Sequence, residues 1–208
     1  MTTGTTGIVG PMGDDTPRPP TGRRAQLVAL DLAVYRAVAA TETPDLDRDL
    51  ARLSRAADNS RLWLGTAGAL ALLGGSRGRR AALNGLAAIG ATSALVNLVV
   101  KPLARRRRPD RAKGGLPAAR HVPMPGSVSF PSGHAASAFA FASGVAHVLP
   151  VAAPLHLAAG LVAYSRIHTG VHYPADVVAG ALLGSAIAPV TSAVLDRRRR
   201  SDAGRLLA

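Results

Sequence analysis

The 208-residue chain contains no cysteine, which excludes a disulfide framework and a thiolate nucleophile. Lysine is nearly absent as well: 2 Lys stand against 23 Arg, so the net charge of +13 is almost wholly guanidinium. Guanidinium stays charged in any setting and matches oxyanions bidentately. Aromatic residues are only 3% of the chain and leave little for an aromatic belt. Carboxylates are scarce where the chain is apolar: between Arg61 and Leu195 there are only Asp110 and Asp176. A two-metal site needs several carboxylate or imidazole ligands, so a metal-free chemistry with no cofactor is expected here.

What is abundant is uncharged sequence. Charges crowd into residues 14–61, 101–120 and 196–205, and four uncharged stretches lie between them. Leu62–Ser76 has 15 residues, Ala81–Val100 has 20, Ala135–Ser165 has 31 and Val177–Leu195 has 19. Since about 20 apolar residues cross a hydrocarbon core, the second and fourth are long enough as they stand. The first is short and ends at Gly74-Gly75; the third is broken by Pro150 and Pro154 and reads as a helical hairpin. The expected fold is all-α, a polytopic transmembrane bundle of about five spans, rich in the Ala and Gly that let helices approach. A soluble Ala-rich bundle is the competing reading, disfavoured by uncharged runs of this length.

Four regions are expected. Residues 1–24, rich in Gly, Thr and Pro, form a disordered tail without the apolar run of a signal peptide. Residues 25–61 form two amphipathic interfacial helices, the first carrying Asp31 and Arg36. Residues 62–195 form the membrane domain, and 196–208 a basic tail. Five spans put Arg77, Arg79 and Arg80 on the side of Arg197–Arg200, and the positive-inside rule puts that side in the cytoplasm.

Three polar blocks punctuate the apolar stretches. The first is Lys101 with Arg108-Pro109, at the end of a run of four arginines that alone reads as a lipid-headgroup patch. The second, Pro131-Ser132-Gly133-His134, opens an apolar helix: Ser132 is placed to cap it, Gly133 lets a ligand approach the backbone, and the free amides attract an anion. The third is Ser165-Arg166, then His172 and Asp176. His172 and Asp176, four residues apart around Pro174, can meet through a turn, the carboxylate fixing the imidazole tautomer. A lone carboxylate beside an apolar span also needs a partner. Each block alone has a bland reading as cap, structural pair or surface charge.

In order and spacing the blocks resemble the three-part signature of the phosphatidic acid phosphatase type 2 and vanadium haloperoxidase superfamily, matched at Lys101, Arg108, Pro109, Pro131, Ser132, Gly133, His134, Ser165, Arg166, His172 and Asp176. The resemblance covers roughly residues 60–195 and implies a helical bundle like that of the short bacterial membrane members. It implies that His172 attacks phosphorus to give a phosphohistidine, with Asp176 holding it. His134 then protonates the leaving oxygen and activates water, while Lys101, Arg108, Ser132, the Gly133 amide and Arg166 grip the phosphoryl oxygens. His168 lies outside the signature and is expected to support the site or face substrate. His121, His147 and His156 receive no role, and Asn97 is expected to bond between helices.

The expected function is metal-independent hydrolysis of a membrane lipid phosphate or diphosphate, at the extracytoplasmic face of a bacterial inner membrane, with no nucleic-acid partner. Phosphatidate, phosphatidylglycerol phosphate, undecaprenyl diphosphate and a prenyl-phosphoryl sugar phosphate are candidate substrates. The actinobacterial style of the composition favours the last. Two other classes compete: a vanadate-dependent haloperoxidase, against which the spans and short chain count, and an inactive protein whose basic segments bind anionic lipid or nucleic acid.

Overall fold

Gly and Pro punctuate the chain, and the uncharged stretches between them become helices. The structure, a computed structural model, describes residues 21–150 and 152–206. In chain order come α1 (Arg23–Ala40), α2 (Pro44–Ala56), a single 3-10 turn at Asp58–Ser60, α3 (Arg61–Leu73) and α4 (Gly75–Ala94). A π-helical turn, Leu95–Val100, carries α4 into α5 (Lys101–Leu103). An irregular crossover then leads to α6 (Gly133–Ala146), α7 (Ala152–His168) and α8 (Pro174–Leu206). There is no strand among the described residues.

The helix limits follow local chemistry. Gly74 closes α3, and Pro44 and Pro174 stand at the starts of α2 and α8, where a missing N–H costs nothing. The 31-residue stretch breaks into α6 and α7 as its prolines require. Two helical rods are by themselves long and apolar enough to cross a membrane: Gly75–Leu103, mean hydropathy 1.7, and Pro174–Arg205, mean hydropathy 1.8. The others in this region are shorter, with 13 residues in α3, 14 in α6 and 17 in α7.

Helix α6 is the hub, packed against α8, α4 and α7, with α3 on α4 and α2 on α7. Its buried face is nearly all alanine around Phe141, which meets the Trp63 ring at 5.4 Å. Side chains this small bring backbones together. A Cβ at Gly184 would lie 2.2 Å from the Ala136 carbonyl oxygen, and one at Gly180 would lie 2.4 Å from that of Ser132. Only glycine permits that approach, and it seats the start of α6 on the first turns of α8. The Ser132 N–H donates to the Asp176 carbonyl at 2.9 Å. The outer faces are apolar instead: Leu72, Leu73, Leu98, Leu103, Leu157 and Leu182 are all exposed.

The first two helices reverse the amphipathic expectation in part. In α1 the buried positions are Asp31, Tyr35 and Ala39, while Leu27, Val28, Leu30 and Val34 face outward. In α2 Asp47 and Ser54 are buried beside Leu50 and Ala51. The buried charges are paired. Arg120, wholly buried in the crossover, donates to Asp47 at 2.8 Å, the Val38 carbonyl at 2.9 Å and Thr43 Oγ1 at 3.1 Å. This bolts the α1–α2 corner to the crossover.

At the opposite end of the bundle Asp196 accepts from Arg80 at 2.9 Å and lies 3.2 Å from His147, so the early turns of α4 and the end of α6 meet the far half of α8. The expected basic tail begins inside that helix, which stays helical through Arg197–Arg200. Of the expected disordered tail, residues 1–20 lie outside the described residues, and Arg23 and Arg24 already belong to α1.

Candidate active site

The end of α5, the crossover, the start of α6, the end of α7 and the start of α8 converge. The four arginines before Pro109 lie in non-helical backbone there, and their burial alternates: Arg105 and Arg107 are exposed, Arg106 and Arg108 half-buried. An extended chain sends successive side chains to opposite faces, so two of four identical residues reach the site.

Arg108 is spread over the loops, its Nε on the Ser127 carbonyl at 2.9 Å and Nη1 on the Val171 carbonyl at 2.8 Å. Nη1 also lies 3.1 Å from His172 Nε2. Guanidinium can only donate, so Nε2 is the acceptor and its lone pair faces the arginine. The other nitrogen, Nδ1, is 3.6 Å from Asp176 Oδ2 and 3.5 Å from Ser129 Oγ. The direct His172–Asp176 bond expected from the spacing is thus stretched beyond hydrogen-bond length. Asp176 is already occupied, accepting from Ser129 Oγ at 2.5 Å, the Tyr173 N–H at 2.9 Å and Arg106 at 2.8 Å. Burial pushes His172 down to about 4, helped by Arg108 and Arg166 and opposed by Asp176, so the ring is neutral near pH 7.

Ser132 caps α6, its hydroxyl accepting from the Ala135 N–H at 3.4 Å, and Gly133 and His134 open the helix. Arg166, 1% exposed, donates to Ser54 Oγ at 2.5 Å, and its Nε has no hydrogen-bond partner among the described residues. A buried guanidinium with an unmet N–H suits an anion. Lys101 and Arg108 are linked through Ser127 Oγ, each at 3.2 Å. Beside them a cavity of about 260 Å³ is lined by Lys101, Gly133, His134, Ser60 and Asn97. Asn97 bonds within its own helix, to the Ser93 carbonyl at 2.9 Å, rather than between helices.

The eight expected site residues therefore gather at one end of the bundle, in two connected groups: His172, Asp176, Arg108 and Lys101, and His134, Arg166, Ser132 and Gly133. His168 is buried, sits 3.0 Å from Asp47 and ties α7 to α2. Several partners escaped the sequence reading. Asp58 lies 2.8 Å from His134 Nε2. Arg106 bridges Asp176 and Asp31 and stacks 4.2 Å from the Tyr173 ring centre. Asp31 also accepts from the Ala175 N–H at 2.7 Å, capping α8. An extended backbone before Pro109, which would alternate the arginines, is a signal the sequence could have offered for Arg106; Asp31 and Asp58 offered none. No group of three or more His, Asp or Glu side chains placed to hold a metal ion occurs among the described residues.

The chain is similar to known proteins over this whole region. It is 35% identical over 188 residues, 88% of this chain and 97% of the other, to the decaprenylphosphoryl-5-phosphoribose phosphatase of Mycobacterium tuberculosis. The crystal structure of Aquifex aeolicus LpxE superposes with a TM-score of 0.63 at 29% identity, covering 78% of this chain and 94% of that one. The fold is also that of a transmembrane PAP2-type phosphatidylglycerolphosphate phosphatase from Bacillus subtilis, TM-score 0.63 at 24% identity, covering 83% and 87%. The profile of the PAP2 superfamily matches residues 81–200, which takes in all three polar blocks: the chain belongs to that superfamily and is a phosphatase.

Proposed function

We propose that the protein is an integral-membrane phosphatase that cleaves a lipid phosphate through a phosphohistidine on His172, without a metal ion. One observation carries this reading: the His172 Nε2 lone pair is aimed at the Arg108 guanidinium, 3.1 Å away. A neutral imidazole whose free lone pair meets a fixed cation is a nucleophile set beside an anion site. A phosphoryl group there replaces the direct contact, its oxygens held by Arg108, Arg166, Lys101 and the amides at the start of α6. Phosphoryl transfer asks mainly for positioning and charge stabilisation, which these cations supply.

Nε2 attacks phosphorus and the bond to the lipid oxygen breaks, His134 giving that oxygen a proton. Water then attacks the phosphohistidine, its proton passes to His134, the P–N bond breaks and inorganic phosphate leaves. Asp176, fixed by Ser129, Tyr173 and Arg106, supports the positive charge that develops on His172.

The apolar outer faces of α3, α4, α7 and α8 support a five-span arrangement in which the shorter helices cross with the two long rods. The arginines about Asp196 then lie on the cytoplasmic side and the site opens outward. A prenyl-phosphoryl sugar phosphate is the first candidate substrate, supported by the near full-length similarity to the mycobacterial phosphatase.

The test is phosphate release by detergent-purified protein from that substrate, phosphatidate, phosphatidylglycerol phosphate and undecaprenyl diphosphate, with EDTA present. Activity that persists in EDTA and vanishes in His172→Ala is expected. Loss in EDTA would overturn the metal-free route, and turnover of water-soluble esters alone would overturn the lipid assignment.

A further inference from the structure

The two catalytic histidines are each given a carboxylate, yet only Asp176 belongs to the signature. Asp58 lies in the turn between α2 and α3, and its Oδ1 is 2.8 Å from His134 Nε2 and 3.6 Å from Arg166 Nη1. The last turn of α2, just before it, also holds Arg166, through Ser54 Oγ. The Asp58–Ser60 turn is held in an uncommon conformation: Asn59 has φ 52° and Ser60 φ 58°, two consecutive non-glycine residues in the left-handed region. Such residues are strained and persist where surrounding contacts fix them. Ala57, Asn59 and Ser60 also line the cavity at His134.

The charges around His134 give this contact a meaning. Burial pushes His134 down to about 4, helped by Arg166 from α7 and His172 from the α7–α8 loop and opposed by Asp58, and Lys101 stands beyond neighbouring Gly133. Asp58 is the one anion facing it among the described residues. A general acid must begin protonated, and a carboxylate at hydrogen-bond distance favours the imidazolium.

We infer that Asp58 is a positioning residue that holds His134 by Nε2–H and favours its charged form against the burial that opposes it, so that Nδ1–H is the proton delivered to the leaving oxygen. The inference rests on the phosphohistidine reading above. As the P–O bond breaks, the Nδ1 proton passes to the lipid oxygen and leaves a neutral ring still held by Asp58. In the second half, water returns a proton to Nδ1 as its oxygen bonds phosphorus and the P–N bond breaks.

The dependence on the leaving group tests this. Full-length Asp58→Asn and Asp58→Glu proteins are assayed against a lipid phosphate, whose alkoxide must be protonated, and p-nitrophenyl phosphate, whose phenolate need not be. Asp58→Asn should lose kcat on the lipid by about 10²-fold, the scale of general acid catalysis, and much less on the nitrophenyl ester. The basic limb of its kcat profile should move to lower pH, and Asp58→Glu should restore both. An equal loss on the two substrates, or faster turnover on both, would overturn the inference, the latter making Asp58 an anion that merely blocks the site. His172→Ala separates the two claims: if it retained activity, the phosphohistidine reading would fall instead.

Discussion

His172 and His134 are the same side chain at the same end of one bundle, in contrasting surroundings. His172 is 2% exposed at its side chain, its carboxylate wholly buried, and the two stand 3.6 Å apart because Asp176 is spent on three other donors. His134 is 18% exposed, and its carboxylate, 37% exposed on a turn, sits at 2.8 Å. The first arrangement is drier and keeps a lone pair available; in the second a carboxylate at hydrogen-bond distance favours the charged ring against burial. The proposed nucleophile and the proposed acid are thus two imidazoles that differ in burial and in how far each carboxylate is engaged elsewhere.

The sharpest way to break this comparison is at the drier pair. Asp176→Asn should remove the charge that supports His172 and lower kcat by about 10³–10⁴-fold, as loss of the orienting carboxylate does in a catalytic triad. Single-turnover phosphate release measures it, and a loss under tenfold would assign the orientation of His172 to Ser129. A smaller effect is expected one step back. Arg106→Ala releases Asp176 and Asp31 together without touching the anion site, so kcat should fall by roughly 10²-fold, the cost of displacing a catalytic group by about 1 Å, with KM little changed. A rise in KM alone would place Arg106 on substrate instead.

The mildest effect is silent near neutrality. Because burial lowers His172 to about 4, the competent neutral ring persists well into acid, and kcat/KM should decline only as pH falls through that value. An acid limb near the ordinary imidazole value of about 6.5 would mean the ring is wetter than its surroundings imply.

The candidate site residues were legible because they recur in short local blocks: Lys101, Arg108, His134, Arg166, His172 and Asp176 lie at helix ends that apolar length and proline position also mark. The residues that hold them were not. Asp31 meets Arg106 across 75 positions, Asp47 meets Arg120 across 73 and Asp58 meets His134 across 76, and such pairings leave no periodic trace. Asp47 and Asp58 also sit in a segment whose alternating charges read as a solvated surface, where most such charges do lie. The π turn before Lys101 was hidden for a related reason, since its Leu, Val and Asn differ in no way from the α-helical residues around them.

The contact between Asp31 and Ala175 also sets a schedule for the chain's birth. The residues are 144 positions apart, so at about 5–20 residues per second the carboxylate is made roughly 7–30 s before the helix it caps. Until then neither Arg106 nor Asp176 has its full set of partners. Helix α1 therefore gains its contact with α8 only at the end, and a truncated or half-inserted molecule carries most of the candidate site residues without the clamp that sets them.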